Sequence, residues 1–221
     1  MLELKNIAKH FGGEAPWILK DVSLALGQGE GAVIQGRSGS GKTTLLNIIA
    51  GLEPSSKGMV IFRGRALHLL SDVVKAQFRN FHIGYCFQET HVQKNLAVLE
   101  NLILPLLVRG MILKKARERG EILLGRLGLS GLGDKSPGSL SGGQLQRLSL
   151  GRALIGEPDL VLADEPTGNL DEVTAKEILH LLLNYQKEKN AALVLVTHDP
   201  VPREPHLKKY LLSDGLLSPV A

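Results

Sequence analysis

An α/β fold is what this sequence predicts, on three observations. Short apolar runs such as residues 31–35, 159–163 and 192–196 end at polar or glycine positions and are separated by segments of helical period, the pattern of a layered sheet. Directly after the first of these runs stands Gly36-Arg37-Ser38-Gly39-Ser40-Gly41-Lys42-Thr43, which has the G-x-x-x-x-G-K-[ST] spacing of a loop that cradles phosphates. From Val98 to about Leu129 the period becomes helical throughout, which marks a helical insertion between two parts of the sheet.

The phosphate loop organises the rest. Glycines let successive backbone N–H groups converge on one anion, and the helix that follows presents the positive end of its dipole. Lys42 is placed to reach the outer phosphates and Thr43 to offer its hydroxyl to Mg²⁺. Gly36, Arg37, Ser38, Gly39, Ser40, Gly41, Lys42, Thr43 and Thr44 are therefore the candidate nucleotide contacts. The flanks agree: Gly31 to Gln35 reads as a buried strand, and Thr44 to Ala50 as a helix stopped by Gly51.

Length and composition bound the architecture. The 221 residues suit one sizeable core with an inserted lobe, here about 90–157, inside a single unit spanning 1–221. With 43% apolar and 22% charged residues the chain is expected to fold as a soluble domain. A net charge of +4, dispersed along the chain, is too weak to argue for nucleic acid as a partner and leaves attachment to an acidic surface open. Cys86 is the lone cysteine, which excludes an intramolecular disulfide or a cysteine metal cluster and suits a reducing cytosol. No secretory signal is read at the start, and the apolar stretch from Leu96 to Leu113 is broken by Glu100, Asn101, Pro105 and Arg109. Any membrane role is expected to come through a partner.

Residues 2–7 and 17–24 read as antiparallel strands separated by Gly12-Gly13 and Pro16. Phe11 and Trp17 flank that turn, and either ring suits stacking on a base. Residues 58–64 read as a strand, 72–81 as a helix and 83–87 as a further strand. Gln88 then stands at a strand's end, where an open α/β sheet puts its ligand contacts, and is placed to sense Mg²⁺ or the attacking water. Lys114, Lys115, Arg117 and Arg119 are interleaved with Glu118 and Glu121, which reads as a solvated helix face.

Ser141 and Gln144 have capping-box spacing at the start of a helix running to about Ile155. Gly142 and Gly143 are costly in a first helical turn, so either the helix is simply capped or bare N–H groups there meet a second anion. The strand at 159–165 ends in two carboxylates. Asp164 is the candidate to hold Mg²⁺ through water, and Glu165 to take a proton from, or orient, the attacking water. A helix is expected from Asp171 to Lys187 and a buried strand from Ala192 to Val196. His198, beyond that strand, is suited to touch a γ-phosphate or polarise the water beside Glu165. Residues 208–212 and 216–217 read as a closing hairpin.

Taken together, GRSGSGKTT at 36–44, Gln88, LSGGQLQR at 140–147, VLADEP at 161–166, Asn169-Leu170-Asp171 and VTHD at 196–199 resemble the ATP-binding-cassette ATPase family over essentially the whole chain. LADEPTGNLD at 162–171 and the stretch at 98–107 narrow the likeness to the group of lipoprotein-releasing, macrolide-exporting and cell-division ATPases. The resemblance implies a phosphate-loop (P-loop) NTPase, RecA-like core with an antiparallel β subdomain and an inserted α-helical subdomain. It implies ATP and Mg²⁺ as ligands, hydrolysis to ADP and phosphate, and a pair of identical chains with each ATP between one phosphate loop and the other chain's Ser141, Gly142, Gly143 and Gln144. It gives Lys42, Thr43, Gln88 and Asp164 to phosphates and metal, Glu165 to base catalysis, His198 to a switch, Asp171 to coupling the two sites, and Phe11 to base stacking with Trp17 as substitute.

An integral membrane permease is the further partner implied, with the chain on the cytoplasmic face of the cell membrane and no nucleic acid expected. Regulation of an envelope enzyme and soluble work on nucleic acid or ribosomes are the alternatives; the short span from Lys42 to Ser141 leaves no room for the long insertion that the soluble reading favours. Two stretches depart from the group's pattern. Val92-Gln93-Lys94 replaces an apolar pair and proline where a membrane subunit is expected to dock, and the prolines at 200, 202 and 205 preclude the short helix expected after His198.

Overall fold

The structure, a computed structural model, describes residues 1–12, 15–168, 170–198, 201 and 204–220. Expectations attached to Asn169, Asp199, Pro200, Pro202 and Arg203 lie outside the described residues.

The chain opens with β1 (Leu2–Lys9) and β2 (Leu19–Leu26), paired antiparallel, so both strands run two residues beyond the expected ends and Trp17 precedes β2. In β2, Leu19, Val22, Leu24 and Leu26 are buried while Lys20, Asp21, Ser23 and Ala25 are exposed, the mark of a layer with one wet face. Next come β3 (Gly31–Gln35), α1 (Lys42–Ile49), β4 (Lys57–Phe62) against the free side of β1, and the short edge strand β5 (Arg65–Ala66). Ser71 caps α2 (Asp72–His82) by accepting from the Val74 N–H at 3.4 Å, and β6 (Ile83–Cys86) follows at once.

The insertion holds α3 (Val98–Val108) and α4 (Leu113–Arg126), followed by α5 (Gly142–Leu154). The helical period expected from 98 to 129 is broken where Gly110 adopts φ +82°, a conformation that glycine takes without steric cost. The chain then runs through β7 (Leu160–Asp164), α6 (Glu172–Lys189), β8 (Ala192–Val196), β9 (Leu207–Ser213) and β10 (Leu216–Val220).

Among the described residues the strands form one sheet in the order β5-β4-β1-β2-β10-β9-β3-β8-β7-β6. The hairpin expected at the C-terminal end exists, with Leu216 opposite Ser213, but it does more than close the chain. Strand β9 also runs parallel to β3, and β10 meets β2 at Leu216 and Asp21, so the hairpin welds the antiparallel layer to the parallel half. Strand periodicity carries no information about partners, which is why the sequence does not show this.

Strands β3, β8 and β7 are parallel and in register, and each is buried almost throughout. Their alternate residues feed two cores: Leu162, Val194 and Val196 pack with Leu45, Leu46 and Ile49 of α1, while Val161, Ala163 and Leu195 pack with Ile178, Leu179 and Leu182 of α6. This sandwiching fixes the strand ends, so that Ile34, Asp164 and Val196 lie abreast at one edge of the sheet.

A third core, built from Leu99, Leu102 and Leu106 of α3, Leu124 of α4 and Leu148 of α5, belongs to the helices. Leu102 is wholly buried there. Leu102→Ala is expected to cost about 2–5 kcal/mol, read as a lowered midpoint in urea denaturation.

Candidate active site

The carboxyl edge of the parallel strands is where the loop from Gly36 turns into α1. Gly41 sits at φ +97°, and a Cβ there would fall 2.7 Å from the Ile18 Cγ2 atom. At Gly36 a Cβ would lie 2.4 Å from the Leu212 carbonyl oxygen. Glycine at these two places is therefore demanded by backbone conformation and by close approach. Helix α1 begins without a side-chain cap, which leaves its first N–H groups for a ligand.

Lys42 folds back over the loop. Its ammonium donates to the Gly36 oxygen at 2.8 Å and the Arg37 oxygen at 3.0 Å, and lies 3.9 Å from the Glu165 carboxylate. An anion of higher charge can draw it off these neutral carbonyls. Asp164 is only 3% exposed. Burial pushes its pKa above the usual carboxylate range, and the neighbouring Glu165 adds to that, while a hydrogen bond from the Thr43 hydroxyl and the charge of Lys42 oppose it.

Glu165 adopts φ +44°, unusual for a residue with a side chain. Its N–H donates to the Val196 oxygen at 2.9 Å, which pins this turn to the end of β8. The carboxylate accepts from the His198 N–H at 3.3 Å and lies 2.8 Å from the His198 ring Nδ1. Glu165 is thus held between an ammonium and an imidazole.

A cavity of about 580 Å³ collects these groups, a size that suits a small-molecule ligand. It is lined by Gly36 to Thr44 except Ser40, together with Gln88, Asp164, Glu165 and His198. The Ser40 hydroxyl is turned inward and would crowd a Cβ at Gly36. Ile18 and Gly168 join the lining without having been singled out in the sequence. An isolated aliphatic ahead of a strand carries no signal that would have found Ile18.

Phe11, Trp17, Ser141 to Gln144 and Asp171 lie outside this cavity. Phe11 is 58% exposed, with the Lys9 ammonium 4.8 Å from its ring centre. Trp17 is held between the His10 ring at 4.6 Å and the Lys57 ammonium at 5.1 Å. Ser141 and Gln144 form the capping box at the head of α5, the Ser141 N–H donating to the Gln144 side chain at 2.9 Å. Asp171 caps α6 rather than beginning it, accepting from the N–H groups of Val173 at 3.1 Å and Thr174 at 3.0 Å.

Two residues hold the loop after Gln88, a role that the sequence does not mark. Arg152 of α5 donates to the carbonyls of His91 at 2.8 Å and Thr90 at 3.0 Å. Asn101, wholly buried in α3, accepts from the Gln93 N–H at 2.7 Å and donates to the Gln93 carbonyl at 2.9 Å. The loop after Gln88 is therefore anchored at both ends by side chains whose partners are backbone carbonyls and N–H groups, which leave no trace in a motif.

A family model described as ABC transporter matches residues 19–168, which is more than half of the chain. The chain belongs to the ABC transporter family. It is an ATP-binding-cassette ATPase. Its relatives include the lipoprotein-releasing system ATP-binding protein LolD of Chromohalobacter salexigens, 40% identical over 202 residues that cover 90% of this chain and 85% of that protein. The ABC transporter ATP-binding protein YtrE of Bacillus subtilis is 40% identical over 200 residues, covering 90% and 87%. Among solved structures, a dimeric post-hydrolysis state of the cassette MJ0796 bound to ADP and phosphate matches this ABC ATPase with a TM-score of 0.88 at 35% identity, over 98% of this chain and 96% of that one.

Proposed function

We propose that this cassette works as a pair of identical chains driving a separate integral membrane subunit, in lipoprotein release or a related export task. Gly142 carries the pairing. It lies in the first turn of α5, at negative φ, and a Cβ added there would meet nothing within 4 Å. Neither backbone nor packing within one chain calls for glycine, so the bare turn suits an object arriving from outside. The phosphates held by a second copy's Gly36–Thr44 loop are that object in our reading, with Ser141 to Gln144 contacting them through hydroxyl and backbone N–H groups. The dimeric state of the MJ0796 cassette supports this assignment.

Within one chain, we assign Lys42 to the outer phosphates, Phe11 to the adenine face with Trp17 as substitute, and Gln88 to the metal and attacking water. Glu165 takes the proton from water as its oxygen attacks the γ-phosphorus and the bond to the bridging oxygen breaks, releasing ADP. His198 holds the carboxylate in place through the contact already described. Asp171, which caps α6, is in our reading the residue through which the two sites sense each other.

The donors of Thr43, Asp164 and Gln88 are all hard oxygens and fit Mg²⁺. Asp164 in particular is a buried carboxylate whose ionised form is penalised, a penalty that a cation relieves. Mg²⁺, when bound, neutralises charge on the phosphates. Because the Asp164 pKa is raised, its cost to the nucleotide-free fold is present above the ordinary carboxylate pKa and fades as pH falls through its raised value. Asp164→Asn is expected to leave the melting temperature of the free protein equal or higher at neutral pH. The same variant is expected to lose the Mg²⁺-dependence of ATP affinity; retained dependence removes Asp164 from the metal.

ATP binding closes the pair and hydrolysis reopens it, and the membrane subunit follows through its different affinity for the two states. No helix among the described residues is long and apolar enough to cross a membrane, and we assign the chain to the cytoplasmic face, attached through that subunit. Affinity capture with the full chain from detergent-solubilised membranes tests the reading. Recovery of an integral membrane protein is expected; recovery of ribosomes or DNA without one contradicts it.

A further inference from the structure

Tyr85 lies in β6 opposite Leu162 of β7, on the face of the sheet that packs against α1, and its ring rests on the core that holds Leu45, Leu46 and Ile49. A phenylalanine would fill that apolar space as well. The hydroxyl therefore serves a partner, and it donates to the Asn47 side-chain oxygen at 2.9 Å. Burial, and after it the nearby Asp164 carboxylate, pushes the phenol pKa up, so the group stays a protonated donor.

Asn47 is firmly seated to receive that bond. It stands in α1 one turn beyond Thr43, so the two share a helix face. Its backbone carbonyl accepts from the N–H groups of Leu52 at 2.9 Å and Glu53 at 3.2 Å. The bond from Tyr85 thus joins the strand that leads to Gln88 to the helix that opens with Lys42 and Thr43.

The Tyr85 ring carries the constraint forward. Phe87 stacks on it with ring centres 3.9 Å apart and planes only 18° from parallel, and meets the His91 ring edge-on at 5.2 Å. Gln88 follows Phe87 directly and lines the same cavity as Thr43. Beyond Gln88 the chain is gripped by Arg152 at the carbonyls of Thr90 and His91. The near side of Gln88 is therefore referenced to α1 and its far side to α5.

We propose that Tyr85 is a positioning residue for the metal site: through Asn47 and Phe87 it fixes how far Gln88 stands from Thr43, so that both reach one Mg²⁺. This rests on the assignment of Thr43 and Gln88 to the metal and adds the device that spaces them. Mg²⁺ demands near-ideal octahedral geometry, so a small error in that spacing is felt as lost affinity.

The test measures the affinity of the full chain for a non-hydrolysable ATP analogue while Mg²⁺ is titrated, in Tyr85→Phe, Asn47→Leu and the double variant, with Gln88→Ala as reference. Tyr85→Phe keeps the ring and its stacking on Phe87 and drops only the hydroxyl. The Mg²⁺ concentration giving half the effect is expected to rise by about 2–10-fold, the worth of one hydrogen bond, while affinity without Mg²⁺ stays unchanged. Asn47→Leu is expected to do the same, and the double variant no more than either alone, because both remove one bond. A lowered melting temperature with an unaltered Mg²⁺ requirement, equal losses with and without Mg²⁺, or single effects that add in the double variant overturn the inference. If Gln88→Ala still raises the Mg²⁺ requirement in that case, the metal assignment stands. If Gln88→Ala leaves the requirement unchanged, assignment and inference fall together.

Discussion

Glu165→Gln is expected to lower kcat for ATP hydrolysis by about 10²–10⁴-fold, the usual worth of a positioned general base. Glutamine keeps the shape of the side chain and can still meet His198, so the unusual backbone turn at position 165 and the 2.8 Å contact to the imidazole are both accommodated. What it loses is the ability to take a proton. Removing one negative charge beside Asp164 also lessens the strain on that buried carboxylate. ATP affinity, read by a fluorescent analogue, is therefore expected to be kept or improved while turnover collapses. Hydrolysis at a near-normal rate removes Glu165 from the role of base.

Gly142→Asp separates the fold from the reaction in the opposite way. The space around position 142 is open and its backbone conformation is ordinary, so an aspartate fits. An acidic side chain in the first turn of α5 also complements the helix dipole, by about 0.3–1 kcal/mol, and lowers the freedom of the unfolded chain. The free protein is thus expected to melt at the same or a higher temperature. Yet the carboxylate stands where the partner's phosphates are proposed to arrive, and repulsion there is expected to depress kcat by about 10²-fold or more. ATP binding by the single chain is expected to persist, since position 142 lies outside the cavity lined by Lys42 and Thr43. A variant that is stable and fully active contradicts the assignment.

Much of the fold was legible because burial on both faces writes a plain signature. The runs in β3, β7 and β8 are apolar almost end to end, and strands sandwiched between helices must be. The phosphate loop, the capping box at Ser141 and the two acids after Leu162 were legible for a similar reason: each is a local arrangement whose chemistry needs fixed neighbours in sequence. What stayed hidden is long-range. That the hairpin of β9 and β10 ties two layers together depends on partners far away in sequence, β3 and β2. Asn101 and Arg152 act on backbone groups, and a carbonyl or amide is the same in every residue, so nothing in the sequence marks the loop they hold. Asp171 was expected to begin a helix and instead caps it, a difference of one position that changes its carboxylate from a surface charge to an acceptor of two N–H groups.

In our reading one chain holds half a site. It is tested most directly by mixing two inactive variants, Lys42→Ala and Gly142→Asp, and measuring ATP hydrolysis. In a mixed pair, the phosphate loop of the Gly142→Asp chain faces the intact Ser141 to Gln144 segment of the Lys42→Ala chain, so one complete site is rebuilt. Hydrolysis is expected to reappear on mixing and to rise with the fraction of mixed pairs; a mixture no more active than the two variants measured apart contradicts the account.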